Sequence, residues 1–211
     1  MNWLKTNWSS EKLPPNAEIS FRYLIGDDVK AVSKLSRASF PIKYPTCWYE
    51  GFCVNAQDEY CTIGCFIDGI LAGFIVVVRD YYRYELVLRR TEFEATLVEE
   101  AGKKLAYVTS LAVDRRFQRM GIGSELMRLA IGNCLNHEVK PRLIYLHVHH
   151  ANTSAQRMYA KMGFVKRYRN SRYYYIDSEE QAAFVYVKNL VDLLNCKIDA
   201  LCSNDNNNNK L

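Results

Sequence analysis

Residues 107–164 constrain the fold of this chain most, because strand and helix patterns alternate twice within and around them. An apolar strand pattern over 105–113 leads into a turn with two glycines, and an amphipathic helix pattern follows over 121–135. A second apolar strand pattern over 143–148 leads into a helix pattern over 153–161. This alternation predicts a mixed sheet with helices packed on its faces, in α/β or α+β order.

The turn Gln118-Arg119-Met120-Gly121-Ile122-Gly123 is the first candidate site. Glycines let a ligand approach the backbone closely, and the N–H groups at the start of a helix favour a phosphate. Arg116 and Arg119 can add charge-assisted hydrogen bonds. A G-x-G turn is also a common structural turn. This one lacks the Gly-Lys-Ser/Thr of a Walker loop and the third glycine of a dinucleotide fingerprint.

Tyr107 and His147 are candidate acid–base residues, because each lies on a predicted strand close to the helix that follows this turn. An imidazole with a pKa near ~6.5 can accept a proton at neutral pH, and a tyrosine can relay one through water. Both residues would also be compatible with a purely structural role in the hydrophobic core. His149 has the same strand parity as His147, so the residues alone leave the choice between these two histidines open.

The helix pattern over 153–161 carries a third candidate. Asn152 can cap its start and Gly163 can end it. Tyr159 lies about two turns beyond Asn152 at ~3.6 residues per turn, so both residues lie on one face of the helix. That face either lines a ligand or belongs to a plain helix with a buried tyrosine.

The rest of the chain predicts one domain over 18–190, with a flexible lead at 1–17 and a short, partly disordered tail at 191–211. Asp68-Gly69 predicts a hairpin turn, and 80–103 predict a long connection. Val191, Leu194, Ile198 and Leu201 fall at helical spacing before the polar end of the chain. The further predicted strands are 19–24, 60–67, 70–79, 164–169 and 182–188, and the further predicted helices are 27–39 and a short one containing Trp48, Tyr49 and Phe52.

Composition narrows the function classes. The net charge of +5 is too small to indicate a nucleic-acid-binding protein. The seven cysteines are odd in number and irregularly spaced, which favours free thiols in the cytoplasm over disulfides or a zinc site. The first residues lack the apolar core of a signal peptide, and the longest apolar run, 69–78, is shorter than the ~20 residues of a membrane span.

Two motifs resemble the signatures of the GNAT acyltransferase superfamily. Gln118 to Gly123 matches the acetyl-CoA signature Gln/Arg-x-x-Gly-x-Gly/Ala. Asn152 to Phe164 matches Asn-x-x-Ala-x-x-x-Tyr-x-x-x-Gly-Phe at every named position. The resemblance implies a mixed α/β (α+β) GNAT fold. Its central, mostly antiparallel seven-stranded sheet is splayed at the acetyl-CoA site, with helices on both faces.

Three further segments resemble N-terminal protein acetyltransferases: Phe40-Pro41-Ile42-Lys43-Tyr44-Pro45, Ile144-Tyr145-Leu146-His147-Val148 and Tyr173-Tyr174-Tyr175. The proline after Tyr44, the Trp48-Tyr49 pair and the triple tyrosine favour the NatF type over the NatE type. The resemblance covers residues 19–190. The short tail at 191–211 differs from the long amphipathic extension that holds the animal NatF enzyme on Golgi membranes. The cytosolic face of the Golgi is therefore the alternative to the cytoplasm, and membrane association has little support in the sequence.

The resemblance also implies a role for individual residues. Tyr107 and His147 would act as bases through ordered water. Acetyl-CoA would lie between the two central strands, against Leu111, Ala112, Val113, Arg119, Met120, Gly121, Ile122, Gly123, Ser124, Asn152 and Tyr159. The acceptor would contact Phe40, Pro41, Ile42, Tyr44, Thr109, Tyr174 and Tyr175.

The activity implied is transfer of acetyl from acetyl-CoA to the free α-amino group of protein N-termini, by direct attack and without a metal. Retained Met followed by a hydrophobic residue or Lys is the expected N-terminus, and the enzyme is expected to be a monomer. Acetylation of lysine side chains, including those of histones, or of a small amine is the alternative. A non-catalytic acyl-CoA-binding module is a weaker one.

Overall fold

A central sheet organises the part of the chain described by the computed structural model, namely residues 4–54, 59–79, 96–97, 99–102, 104–138 and 140–193. Its strands lie in the order β1-β2-β3-β4-β5-β7-β6, and every neighbouring pair is antiparallel except β4 and β5. The strands are β1 (Ile19–Tyr23), β2 (Tyr60–Ile67), β3 (Ile70–Val78), β4 (Leu105–Val113), β5 (Leu143–His149), β6 (Val165–Ile176) and β7 (Glu179–Asn189).

Helices cover both faces of this sheet, as the resemblance implies. They are α1 (Val29–Ser39), α2 (Thr46–Val54), α3 (Ile122–Asn136) and α4 (Thr153–Lys161). Apolar residues of α3 and α4 pack with one face, and those of α1 and α2 pack with the other. Strands covered on both sides read as continuous apolar runs, and eight of the nine residues of β3 are buried.

The sheet opens between β4 and β5. Their parallel pairing runs from Leu105 opposite Leu143 to Val108 opposite Leu146 and then stops, although both strands continue. Thr109 is an extra residue at this point, because Val77 of β3 pairs with Val108 and Val76 pairs with Ser110. A bulge bends a strand and increases its twist, so β4 turns away from β5 where the pairing ends.

Most predicted elements are confirmed, with small shifts of their ends. The main difference is β6, which continues to Ile176 and so includes the triple tyrosine, where the sequence predicts only a strand over 164–169. Two register shifts, between Lys166 and Tyr168 and between Asn170 and Tyr174, explain this, because they interrupt the alternation that sequence patterns rely on.

The predicted lead also differs in the structure. Residues 4–17 form no helix or strand, yet Leu4, Trp8, Leu13 and Ala17 pack against the core. Residues 80–95, most of the predicted 80–103 connection, and the tail from 194 onward lie outside the described residues. Among the helices that the structure describes, none is long and apolar enough to cross a membrane.

Candidate active site

Tyr107, His147 and Tyr173 meet where the two central strands diverge. The Tyr107 hydroxyl lies 3.3 Å from His147 Nδ1 and 3.2 Å from the Tyr173 hydroxyl. The ring of Tyr173 stacks on His147 with centroids 3.9 Å apart and planes 10° apart. The structure therefore brings together both predicted bases and a third residue from β6 that the predicted site residues do not include.

Burial determines the charge of the imidazole. It lowers the pKa of His147 to about 3, because a charged ring is poorly solvated among neighbouring aromatic rings. The ring is therefore neutral at every working pH. A neutral imidazole next to a tyrosine hydroxyl can accept a proton and pass it on, although it is a weak resting base.

His149 has a different environment, which separates the two histidines that the sequence leaves equivalent. Its Nδ1 accepts a hydrogen bond from the backbone N–H of Ala151 at 3.2 Å. Because a backbone N–H can only donate, the ring proton lies on Nε2, beside Gln181 Oε1. Both ring nitrogens of His149 are thus engaged in holding the end of β5, and His147 is the histidine beside Tyr107.

A second aromatic group borders the site on the side of the α1–α2 loop. The ring of Tyr44 stacks on Trp48 at 4.4 Å. Burial, followed by the nearby Tyr44 hydroxyl, raises the pKa of Tyr174 to about 12, and burial, followed by Tyr49, raises the pKa of Tyr44, so both phenols are neutral. The loop and β6 thus bring Tyr44 and Tyr174 near each other beside the site. Phe40 and Ile42 are half-buried in the loop, and Pro41 is exposed.

The three consecutive tyrosines, Tyr173, Tyr174 and Tyr175, lie in three different environments. Tyr173 enters the cluster around His147, whereas Tyr174 lies near Tyr44 and 5.6 Å from the His149 ring. Tyr175 is 70% exposed, so the structure places it outside both aromatic groups of the described residues. In a regular strand the side chains alternate between the two faces of the sheet, so Tyr173 and Tyr175 would lie on the same face. The register shift between Asn170 and Tyr174 changes this, and the sequence carries no signal for it.

Beyond Val108, β4 presents an open edge toward β5. Leu111 and Val113 are half-buried on the α3 side, whereas the Ala112 side chain is buried against the α1 and α2 layer. Ala112 can therefore offer a ligand only its backbone. Thr109 donates its hydroxyl to the Val76 carbonyl at 3.3 Å, so it fastens the bulge. A strand edge without a partner exposes N–H and C=O groups that an extended amide-containing ligand can pair with.

The predicted phosphate turn has the backbone that such a site requires. Gly121 adopts φ +89° and Arg119 φ +62°, so the turn folds back before α3 begins at Ile122. The first N–H groups of a helix have no partner inside it and carry the positive end of its dipole. An anion in front of Ile122, Gly123 and Ser124 would meet these donors. Met120 is half-buried beside them.

The start of α4 faces the same turn. Arg119 donates to the Ser154 hydroxyl at 3.2 Å, which links the turn to α4. Asn152 caps α4, because its side chain accepts a hydrogen bond from the N–H of Ala155 at 3.1 Å. Tyr159 is buried. Its pKa is raised above the usual value, mainly by this burial and to a smaller extent by Tyr174. Tyr174 therefore lies near both Tyr159 and Tyr44.

These features fit an acyl-CoA. The open edge suits the amides of a pantetheine arm, and the turn suits its phosphates. Within the part of the chain that the structure describes, no group of three or more His, Cys, Asp or Glu side chains could hold a metal ion.

The comparisons with known proteins agree with this geometry. The acetyltransferase (GNAT) family matches residues 29–164. N-alpha-acetyltransferase 60 of Xenopus tropicalis is 27% identical over 175 residues, which cover 81% of this chain and 69% of the relative. An N-alpha-acetyltransferase of Sulfurisphaera tokodaii is 30% identical over 155 residues, which cover 72% of this chain and 83% of the relative.

A solved structure has the same fold. Arabidopsis thaliana NAA60 in complex with acetyl-CoA superimposes with a TM-score of 0.67 at 21% identity. The superposition covers 82% of this chain and 99% of that one. The seven-stranded, mostly antiparallel mixed α/β architecture predicted from the sequence is thereby confirmed.

Proposed function

This chain belongs to the acetyltransferase (GNAT) family, and we propose that it transfers acetyl from acetyl-CoA to the α-amino group of protein N-termini. The observation that carries the proposal is the Tyr107–His147 pair at the point where β4 and β5 part, with Tyr173 stacked on the imidazole and Tyr174 next to Tyr173. Relatives named N-alpha-acetyltransferase in both a vertebrate and an archaeon support the same acceptor.

The strand gap and the turn before α3 would bind the donor. The open edge at Leu111–Val113 offers backbone groups to the pantetheine amides, and the N–H groups from Arg119 to Ser124 hold the pyrophosphate. Asn152 and Tyr159 flank the thioester end from α4. A thioester supplies an activated acetyl group and a thiolate leaving group. The protein's task is therefore to orient the donor and the amine and to remove a proton.

The proton path would begin at the amine. An α-amino group has a pKa of about 7.7–8.0, so it arrives mostly protonated at neutral pH. Tyr107 and the neutral imidazole of His147, acting through ordered water, take that proton. Because the pKa of His147 is low, the imidazole releases the proton again and does not stay protonated. The amine then forms the N–C bond as the C–S bond breaks. Such relays contribute typically ~10²–10⁴-fold.

The space between the α1–α2 loop and β6 would receive the polypeptide. Tyr44 of the loop and Tyr174 of β6 lie near each other, and their hydroxyls would hydrogen-bond the acceptor's backbone. Phe40 and Ile42 are half-buried and offer an apolar surface to the first side chain. This surface supports retained Met as the first residue, and we propose that a hydrophobic residue or Lys follows it.

A peptide panel tests the acceptor. Each peptide would be offered with a free and with a blocked N-terminus, together with acetyl-CoA, and products would be identified by mass spectrometry. We expect acetylation of the free form alone. Equal modification of blocked peptides that contain lysine would favour the lysine alternative, and coenzyme binding without any product would favour a binding module.

We further propose that the enzyme works in the cytosol. The described cysteines, Cys47, Cys53, Cys61, Cys65 and Cys134, are all free thiols, and only Cys47 among them is exposed. Burial raises the pKa of Cys61, Cys65 and Cys134, so these side chains behave as small apolar core residues. Free thiols are usual in a reducing compartment. Localisation of the tagged full-length protein by microscopy tests this.

A further inference from the structure

The lead, residues 4–17, is docked on β1 and on the first turn of α3. The Leu4 N–H donates to the Phe21 carbonyl at 2.8 Å, and the Trp8 ring meets Phe21 edge to face at 5.7 Å. The Thr6 hydroxyl donates to the carboxylate of Glu125. These contacts join backbone, aromatic and charged groups, so the lead has one defined path over the protein.

This path ends at the phosphate turn. Lys12 Nζ donates to the Arg119 carbonyl at 3.2 Å, across 107 positions of sequence. Trp8 lies over Gly121, since a Cβ added to that glycine would come within 3.1 Å of Trp8 Nε1. The lead thus brings an ammonium group to the turn that, in the proposed function, binds the phosphates of the coenzyme.

Among the described residues, the charged side chains around the turn provide no counter-ion for this ammonium. Asp114 pairs with Arg116 and Glu125 pairs with Arg128, and each arginine lowers the pKa of its carboxyl group. Across the described residues, no ion pair involves Lys12 or Arg119. An ammonium has three donors, and the carbonyl contact uses one. Among the described residues, Lys12 and Arg119 therefore bring two positive charges to the turn without a counter-ion.

We propose that Lys12 is a phosphate-binding residue for the coenzyme and that Trp8, packed on Phe21 and over Gly121, holds the lead at the turn. Lys12 and Trp8 both come from the segment ahead of the first strand, which the sequence predicts to be a flexible lead. The inference rests on the proposed function, since it assigns a further ligand to the same donor site. The class of ligand is a phosphate ester or pyrophosphate, held by one ammonium in addition to the main-chain amides.

Calorimetry with CoA tests this assignment on the full chain. We expect Lys12→Ala to weaken binding by about 3- to 10-fold, the range for a charge-assisted hydrogen bond in an exposed setting. Lys12→Arg should restore most of the affinity, because it keeps the charge. Lys5→Ala is the matched control, since Lys5 is another exposed lysine of the lead and makes no contact with the turn among the described residues.

Two further readouts separate a phosphate contact from a structural role. Raising the salt concentration should weaken CoA binding less in Lys12→Ala than in the wild type, because one screened contact is gone. With S-acetylpantetheine, a donor that lacks phosphates, kcat/KM should be equal in the two proteins. A parallel loss with both donors would mean that Lys12 only supports the fold, and would overturn the assignment.

The two proposals fail in different ways. If the wild type bound no CoA at all, the proposed function itself would be wrong. If the wild type bound CoA and Lys12→Ala bound it equally well at low and at high salt, the role of Lys12 would be refuted while the proposed function stood.

Discussion

The ring of Tyr173, on β6, stacks on the imidazole of His147, on β5, with 3.9 Å between their centroids and 10° between their planes. These two strands are not neighbours, because β7 lies between them in the sheet. The contact therefore depends on β6 leaving its regular register between Asn170 and Tyr174 and turning Tyr173 inward. Tyr173 buries the imidazole and also reaches the Tyr107 hydroxyl.

We expect Tyr173→Phe to lower kcat by about tenfold, which is less than the ~10²–10⁴-fold of a complete acid–base group, because Tyr107 and His147 remain. The phenylalanine keeps the stack on His147 and loses only the hydroxyl 3.2 Å from Tyr107. The KM for acetyl-CoA should stay unchanged. Tyr175→Phe is the matched control, because Tyr175 is 70% exposed and should tolerate the same change. Equal rates for wild type and Tyr173→Phe would remove Tyr173 from the proton path.

Removing both predicted bases is the stronger test of the path. Tyr107→Phe combined with His147→Ala should reduce turnover by ~10²–10⁴-fold while CoA binding survives, since neither side chain lies on the phosphate turn. Single-turnover kinetics and calorimetry measure the two quantities separately. His150→Ala is a control with an exposed histidine just beyond β5. Acetylation of peptides by the double variant at the wild-type rate would show that the bases are assigned wrongly.

The pH dependence follows from the burial of His147. Because the pKa of His147 is lowered to about 3, its imidazole stays neutral between pH 6 and 9 and adds no inflection there. The rate at low peptide concentration should instead rise with pH as the acceptor amine loses its proton, with a midpoint near ~7.7–8.0. A wild-type inflection near pH 6.5 that disappears in His147→Gln would contradict this account.

Two glycines, one just before α3 and one inside it, provide a matched pair of substitutions that tests the geometry of the turn. Gly121 adopts φ +89°, and an added Cβ would also approach Trp8. Gly121→Ala should therefore lower the free energy of unfolding by about 1–2 kcal/mol and weaken CoA binding. Gly132 lies inside α3 with nothing within 4 Å of an added Cβ, so Gly132→Ala should raise the free energy of unfolding by about 0.5–1 kcal/mol. Urea titrations measure both, and a stabilised Gly121→Ala would contradict the geometry of the turn.

Local patterns predicted much of this molecule. Apolar strands, the Asp68-Gly69 hairpin and the capped helix after Asn152 each depend on residues close together in sequence, and the structure has all of them. The packing of Trp8 on Gly121 and the inward turn of Tyr173 depend on contacts between distant segments and on a register shift. The choice between His147 and His149 likewise needed the partners of each ring.

The central claim is that the acceptor is an α-amine. One peptide with a free N-terminal Met and one internal Lys, incubated with acetyl-CoA and mapped by tandem mass spectrometry, tests it most directly. We expect a single acetyl group on the Met nitrogen, and formation of that product ~10²–10⁴-fold more slowly with the Tyr107→Phe, His147→Ala double variant. Acetyl on the lysine Nζ with the α-amine left free would contradict the account.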